Sequence, residues 1–239
     1  MADEPEQLSI KIGERENVTA LLYSAAKKKR AAVTVVLAHG AGANQLSSFM
    51  QLFARGLAAR GLDSLTFNFA YMEQGRRVPD QKAKLESCYR LVIDEVLTHK
   101  KLKNNRLVIG GKSMGGRIAS QVAAIDAEKN EQAGGNISGL VLLGYPLHPP
   151  GNPEKLRTEH LKNIRVPMLF VQGTRDSLGR ADEIGATIKQ LHLPATLYEI
   201  EGGDHSFKVP KSGGVKQEQV YELVLDEIVR WIQLQNRER

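Results

Sequence analysis

The sequence predicts an α/β fold: a mostly parallel, doubly wound sheet with helices on both faces. Short β-type runs alternate with longer stretches of helical periodicity, which is the pattern of repeated βα units with right-handed crossovers. Several of the runs are continuously apolar, as in "LVLL" at Leu140–Leu143, and that suits strands covered on both sides. No internal repeat and no linker interrupts the 239 residues, so one domain over 1–239 is expected.

Each element follows from its own pattern. "LSIKI" and "VTALLYS" alternate polar and apolar residues and are expected to pair antiparallel at one edge of the sheet. The parallel strands are "AVTVVLAH", "LDSLTFNF", "RLVIGG", "SGLVLLGY", "PMLFVQG" and "ATLYEIE". Between them lie helical patterns near Ser48–Arg60, Asp80–His99, Gly115–Lys129 and Arg180–His192, with a last one over Val215–Gln235.

Composition narrows the function. Hydrophobic residues make up 41% of the chain, enough for a sizeable core. The net charge of +6 comes from 33 Lys+Arg against 27 Asp+Glu and is spread along the chain. Its one dense cluster, "KKKR" at Lys27–Arg30, reads as a solvated loop before a strand, and no aromatic residues interleave with it to favour nucleic acid. The single cysteine, Cys88, excludes an internal disulfide and falls in an amphipathic helix. The acidic start "MADEPEQLSI" has no apolar h-region, and no apolar run is long enough to span a bilayer. A soluble, cytoplasmic protein is therefore expected, with neither nucleic acid nor membrane as partner.

The stretch "RLVIGGKSMGGRIAS" carries the chemistry. Its Gly-Lys-Ser would suit a phosphate loop, but the first glycine of G-x-x-x-x-G-K-[ST] is replaced by Arg106, so the loop cannot close around a phosphate. Gly-Lys-Ser-Met-Gly instead fits the G-x-S-x-G nucleophile elbow, with a strand before Ser113 and a helix after it. The motif alone is weak. Its partners must follow in the order acid, then histidine, at strand ends. "TRD" after "PMLFVQG" offers Asp176, and "GGDHSF" after "ATLYEIE" offers His205. Asp204 is adjacent to His205 in sequence, so its side chain points elsewhere and Asp176 is the expected acid.

An oxyanion hole needs two backbone N–H donors. Met114, after the nucleophile, supplies one, and Ala41 in "AHGAGAN" supplies the other, with His39 bracing that loop. The same loop lacks the third glycine of a dinucleotide fingerprint. Met72, Tyr145, His148 and Phe207 are named as pocket-wall candidates, with simple packing as the alternative for each. No Cys/His cluster has metal-ligand spacing, so neither a metal nor an organic cofactor is expected.

The segments "HGAGAN", "FNFAYMEQGRRVPD", "GGKSMGGRIAS", "GYPLHPPGNPEKLRTEHL", "VQGTRD" and "GGDHSF" together resemble the small α/β-hydrolase family of the testis-expressed protein thirty type. That family is related to dienelactone-hydrolase-like proteins and to the hydrolase-like domain of a chromatin acetyltransferase-complex subunit. The resemblance runs from about Val33 to the last helix. It implies an α/β-hydrolase fold with no large cap domain, and its triad positions coincide with Ser113, Asp176 and His205. The sequence agrees about the cap, because only "PLHPPGNPEKLRTEHLKNI" separates Tyr145 from the next strand. The reading is a serine hydrolase, a carboxylesterase acting on small or medium soluble esters through an acyl-enzyme. Some relatives serve as interaction modules, so a catalytically silent module that binds a protein partner is the alternative.

Overall fold

The computed structural model describes residues 4–129, 135–211 and 214–237, so the first three residues of the acidic N-terminal stretch lie outside it. The strands are β1 (Glu6–Lys11), β2 (Asn17–Tyr23), β3 (Val33–Ala38), β4 (Asp63–Phe67), β5 (Arg106–Lys112), β6 (Ile137–Leu143), β7 (Met168–Gly173) and β8 (Ala195–Ile200). They form an eight-stranded sheet in the order β1-β2-β4-β3-β5-β6-β7-β8. β1 and β2 pair antiparallel, and β2 joins β4 antiparallel. Every pair from β4 to β8 is parallel.

The helices are α1 (Ser48–Ala59), α2 (Ala70–Glu73), α3 (Lys82–Thr98), α4 (Met114–Lys129), α5 (Ala181–Gln190) and α6 (Gln217–Arg237). Side chains alternate across a strand, so each parallel strand feeds two cores. Val33, Val35 and Leu37 of β3 pack with Phe53 and Leu57 of α1 and with Val224, Ile228 and Trp231 of α6. Val36 and Ala38 face the other way, onto Tyr89 and Val92 of α3 and Ile118 and Val122 of α4. Strands buried on both faces explain the unbroken apolar runs in the sequence. Ala26–Arg30, holding the basic cluster, is exposed around a single 3-10 turn, and Arg30 pairs with Asp63 at 2.6 Å. The stretch from Tyr145 to Pro167 forms turns and one 3-10 turn, Leu161–Asn163, and no cap domain. Among the described residues, no helix is long and apolar enough to cross a membrane.

β3 lies between β4 and β5, so the chain leaves β3 toward one side of the sheet and β5 connects toward the other. At such a switch point the loops at the carboxyl ends of the strands diverge and leave a crevice.

Candidate active site

Ser113 sits between the end of β5 and the start of α4, in the left-handed region at φ +53°. A non-glycine residue there costs on the order of 1–3 kcal/mol, so the surroundings must enforce it. They do so from both sides. The Ser113 N–H donates to the Leu143 carbonyl at 2.9 Å, and the Ser113 carbonyl accepts from the Arg117 N–H at 3.0 Å. The turn also presses against β3. A Cβ on Gly111 would lie 2.3 Å from the Ala38 carbonyl oxygen, and one on Gly115 would lie 2.2 Å from it. Small residues two before and two after the serine are thus a steric demand of the elbow.

Asp176 lies in the loop after β7 and is fully buried. Its Oδ1 accepts from the Leu178 N–H at 2.8 Å. Its Oδ2 accepts from Gln172 Nε2 at 2.8 Å and from His205 Nδ1 at 2.7 Å. With Nδ1–H donated to a carboxylate, His205 keeps an acceptor at Nε2, which lies 2.8 Å from Ser113 Oγ. Asp204 is placed differently. Its Oδ1 accepts from the N–H groups of Ser206 and Lys208, at 2.7 and 2.9 Å, and shapes the loop that carries His205.

His39 is buried at the end of β3. Its Nδ1–H donates to the Gly40 carbonyl at 2.9 Å, and its Nε2 accepts from the Phe69 N–H at 3.2 Å. Burial pushes its pKa down to about 4, so the ring is neutral and holds the loop that follows. In that loop the Ala43 N–H donates to the Gly40 carbonyl at 3.2 Å, and Ala41 faces a cavity shared with Ser113 and His205. Met114 is the first residue of α4, where helix geometry leaves N–H groups without intrahelical partners and concentrates positive potential.

The cavity has a volume of about 600 Å³, within the range of small-molecule sites. Phe49 and Phe53 of α1, Tyr221 of α6, Leu178 and Lys112 contribute to its walls. The four named wall candidates lie elsewhere. Tyr145 is fully buried, with its ring edge-on to Phe170 and its hydroxyl donated to the Arg157 carbonyl at 2.7 Å. Met72 packs on the α3/α4 core. His148 is buried, with Nδ1 3.0 Å from the Pro149 carbonyl and Nε2 3.9 Å from Glu183 of α5. Phe207 is fully buried behind the wall, its ring centre 5.7 Å from that of Phe49.

Gln172 was not apparent from the sequence. Fully buried at the end of β7, it donates to Asp176 and to the Gly179 carbonyl, and it accepts from the Tyr145 N–H. A glutamine inside the otherwise apolar run "MLFVQG" was the signal available. Among the described residues, no group of three or more His, Cys, Asp or Glu could hold a metal ion. Burial pushes the Cys88 thiol up to about 12, which leaves it un-ionised and a poor nucleophile.

Comparison with known proteins agrees with this fold. A family model described as an alpha/beta hydrolase domain matches residues 31–233. Among solved structures, the chain is similar to an alpha-beta serine hydrolase homologue from Coxiella burnetii, with a TM-score of 0.73 and 18% identity over 96% of this chain and 98% of that one. It is similar to a dienelactone hydrolase from Anabaena variabilis, with a TM-score of 0.71 and 20% identity over 94% and 97%. A serine hydrolase without a lid from Xanthomonas campestris matches with a TM-score of 0.69 and 17% identity over 97% and 96%. At these identities the likeness is one of fold.

Proposed function

This chain belongs to the family of alpha/beta hydrolase domains, and from that premise we propose that it is a serine hydrolase, a carboxylesterase of small to medium soluble esters. The observation that carries the reading is the unbroken hydrogen-bond chain from Asp176 through His205 to Ser113, which ends in an open cavity. In this scheme Ser113 Oγ attacks the ester carbonyl and His205 Nε2 takes its proton. Asp176 keeps Nδ1 protonated and stabilises the imidazolium. The N–H groups of Ala41 and Met114 receive the developing oxyanion. His205 then protonates the leaving alkoxide. Water, deprotonated by the same ring, hydrolyses the acyl-enzyme, releases the acid and restores Ser113. No step of the scheme calls on a metal or an organic cofactor.

Within the family, we place the chain in the testis-expressed protein thirty type, on the six segments quoted above. A fluorophosphonate tests the chemistry directly. Folded wild-type protein should gain one adduct, on the peptide that contains Ser113, and Ser113→Ala should gain none. Wild-type protein that is folded by circular dichroism yet stays unlabelled would rule the enzyme out in favour of a silent binding module.

A further inference from the structure

Resting on that reading, we propose that Lys112 is a positioning residue, whose ammonium holds the His205 loop against the strand that carries the nucleophile. Lys112 is the last residue of β5, immediately before Ser113. Its side chain is buried and crosses to the β8–α6 loop, where Nζ donates to the carbonyl oxygen of His205 at 2.5 Å. One residue thereby ties the backbone beside the nucleophile to the backbone of the base.

The slot that Lys112 occupies is narrow. Nζ lies 5.8 Å from the ring centre of Phe49 and 5.9 Å from that of Phe207. Gly144, at φ +63°, closes it: a Cβ there would stand 2.8 Å from Nζ and 2.9 Å from the His205 carbonyl oxygen. A buried ammonium is costly, and an apolar side chain of similar length would fill this slot at lower cost. What an apolar chain cannot do is grip the carbonyl. The rest of the loop has other anchors. Asp204 binds the N–H groups of Ser206 and Lys208, and Gln217 Nε2 donates to the Phe207 carbonyl at 2.8 Å. Phe207 itself is in the left-handed region at φ +64°, so this backbone is strained and needs its fastenings.

The charges that face Lys112 give a second readout. Asp176, in the β7–α5 loop, and Asp204, in the β8–α6 loop, act on it through their charge. Both favour the ammonium, but burial outweighs them and brings its pKa down from the usual lysine value to about 8. A charged donor makes roughly twice as strong a hydrogen bond as a neutral one, so the grip on His205 weakens as pH rises through about 8.

The experiment compares wild type with Lys112→Met, which keeps the stem and removes the donor, using p-nitrophenyl acetate at pH 6 to 10. Misplacing a catalytic group by about an ångström costs up to about 100-fold, so kcat should fall about 10- to 100-fold while KM moves less than about threefold. The wild type should lose kcat above about pH 8, and the variant should lack that alkaline decline. At pH 7 the variant removes a buried charge but leaves the His205 carbonyl without its donor, and these opposed effects should leave thermal stability little changed. Lys112→Gln, with a shorter neutral donor, should give a smaller loss of kcat and also no alkaline decline, and it serves if the methionine variant does not fold. A folded variant with kcat within about twofold of wild type, or one that keeps the alkaline decline, overturns the proposal. Wild-type protein never labelled at Ser113 removes the serine-hydrolase reading. A labelled wild type whose Lys112→Met variant is equally active removes only the role given to Lys112.

Discussion

Asp176 and Asp204 are both aspartates in loops beside His205, yet their carboxylates meet different partners. All the donors around Asp176 are N–H groups: Leu178 at Oδ1, and Gln172 and His205 at Oδ2. An asparagine there must turn its NH₂ toward at least one of them. If it faces His205, the imidazole is driven to the tautomer that cannot accept the serine proton. Replacing the acid of such a triad by its amide costs roughly 10⁴ in kcat, and a loss of that order is expected for Asp176→Asn. At Asp204 one oxygen accepts both loop N–H groups, and an amide oxygen can do the same. Asp204→Asn should lose less than about tenfold. Initial rates on an activated ester, with circular dichroism to confirm folding, check both. An inactive Asp204 variant beside an active Asp176 variant would reassign the acid.

Between elements, the position of the elbow depends on how β5 is held beside β3 and against Tyr89 of α3. Tyr89 of α3 is fully buried, and its hydroxyl lies 2.7 Å from the Gly110 carbonyl and 2.9 Å from the Val36 carbonyl. The same oxygen accepts from the Gly110 N–H at 3.1 Å. One side chain therefore fastens a helix to two adjacent strands, three residues before Ser113. Tyr89→Phe keeps the ring packed and removes the oxygen, so the Gly110 N–H loses an acceptor and the two carbonyls lose the one hydroxyl hydrogen they share. An unmade buried hydrogen bond costs about 1–3 kcal/mol, and Tyr89→Phe should lose stability in that range. Urea denaturation with an unchanged slope measures it, and wild-type stability would show that the strand does not depend on this contact.

For the molecule as a whole, what matters is where the crevice opens and what covers it. The loops after β3 and β5 part at the switch point, and the cavity forms on the side of the sheet that α1 and α6 cover. The short stretch after β6 adds no cap, so little apolar surface is available to enclose a long acyl chain. Each buried CH₂ would otherwise contribute about 0.8 kcal/mol. Short acyl esters should therefore be cleaved at least as well as long ones across a p-nitrophenyl series. A strong preference for chains of about twelve carbons or more would show a larger buried apolar surface than this fold provides.

The sequence by itself determined the kind and order of the strands and of the long helices, though not the one-turn α2, together with the loops where Ser113, Asp176 and His205 sit. These are local properties: a strand buried on both faces must be apolar throughout, a sharp elbow needs small neighbours, and polar residues gather where a strand ends. Only the tertiary structure decided which face of the sheet holds the cavity. Tyr145, Met72 and His148 are near strand ends as expected, but they turn toward the side that α3, α4 and α5 occupy, whereas Phe49, Phe53 and Tyr221 build the wall on the other. Strand position specifies an edge of the sheet and leaves open the direction in which each loop folds over it. The contacts of Gln172 with Asp176 and of Lys112 with His205 were hidden for a related reason. The first joins residues four apart across the turn after β7 and the second residues 93 apart, and both depend on side-chain conformations chosen only when the surrounding elements pack.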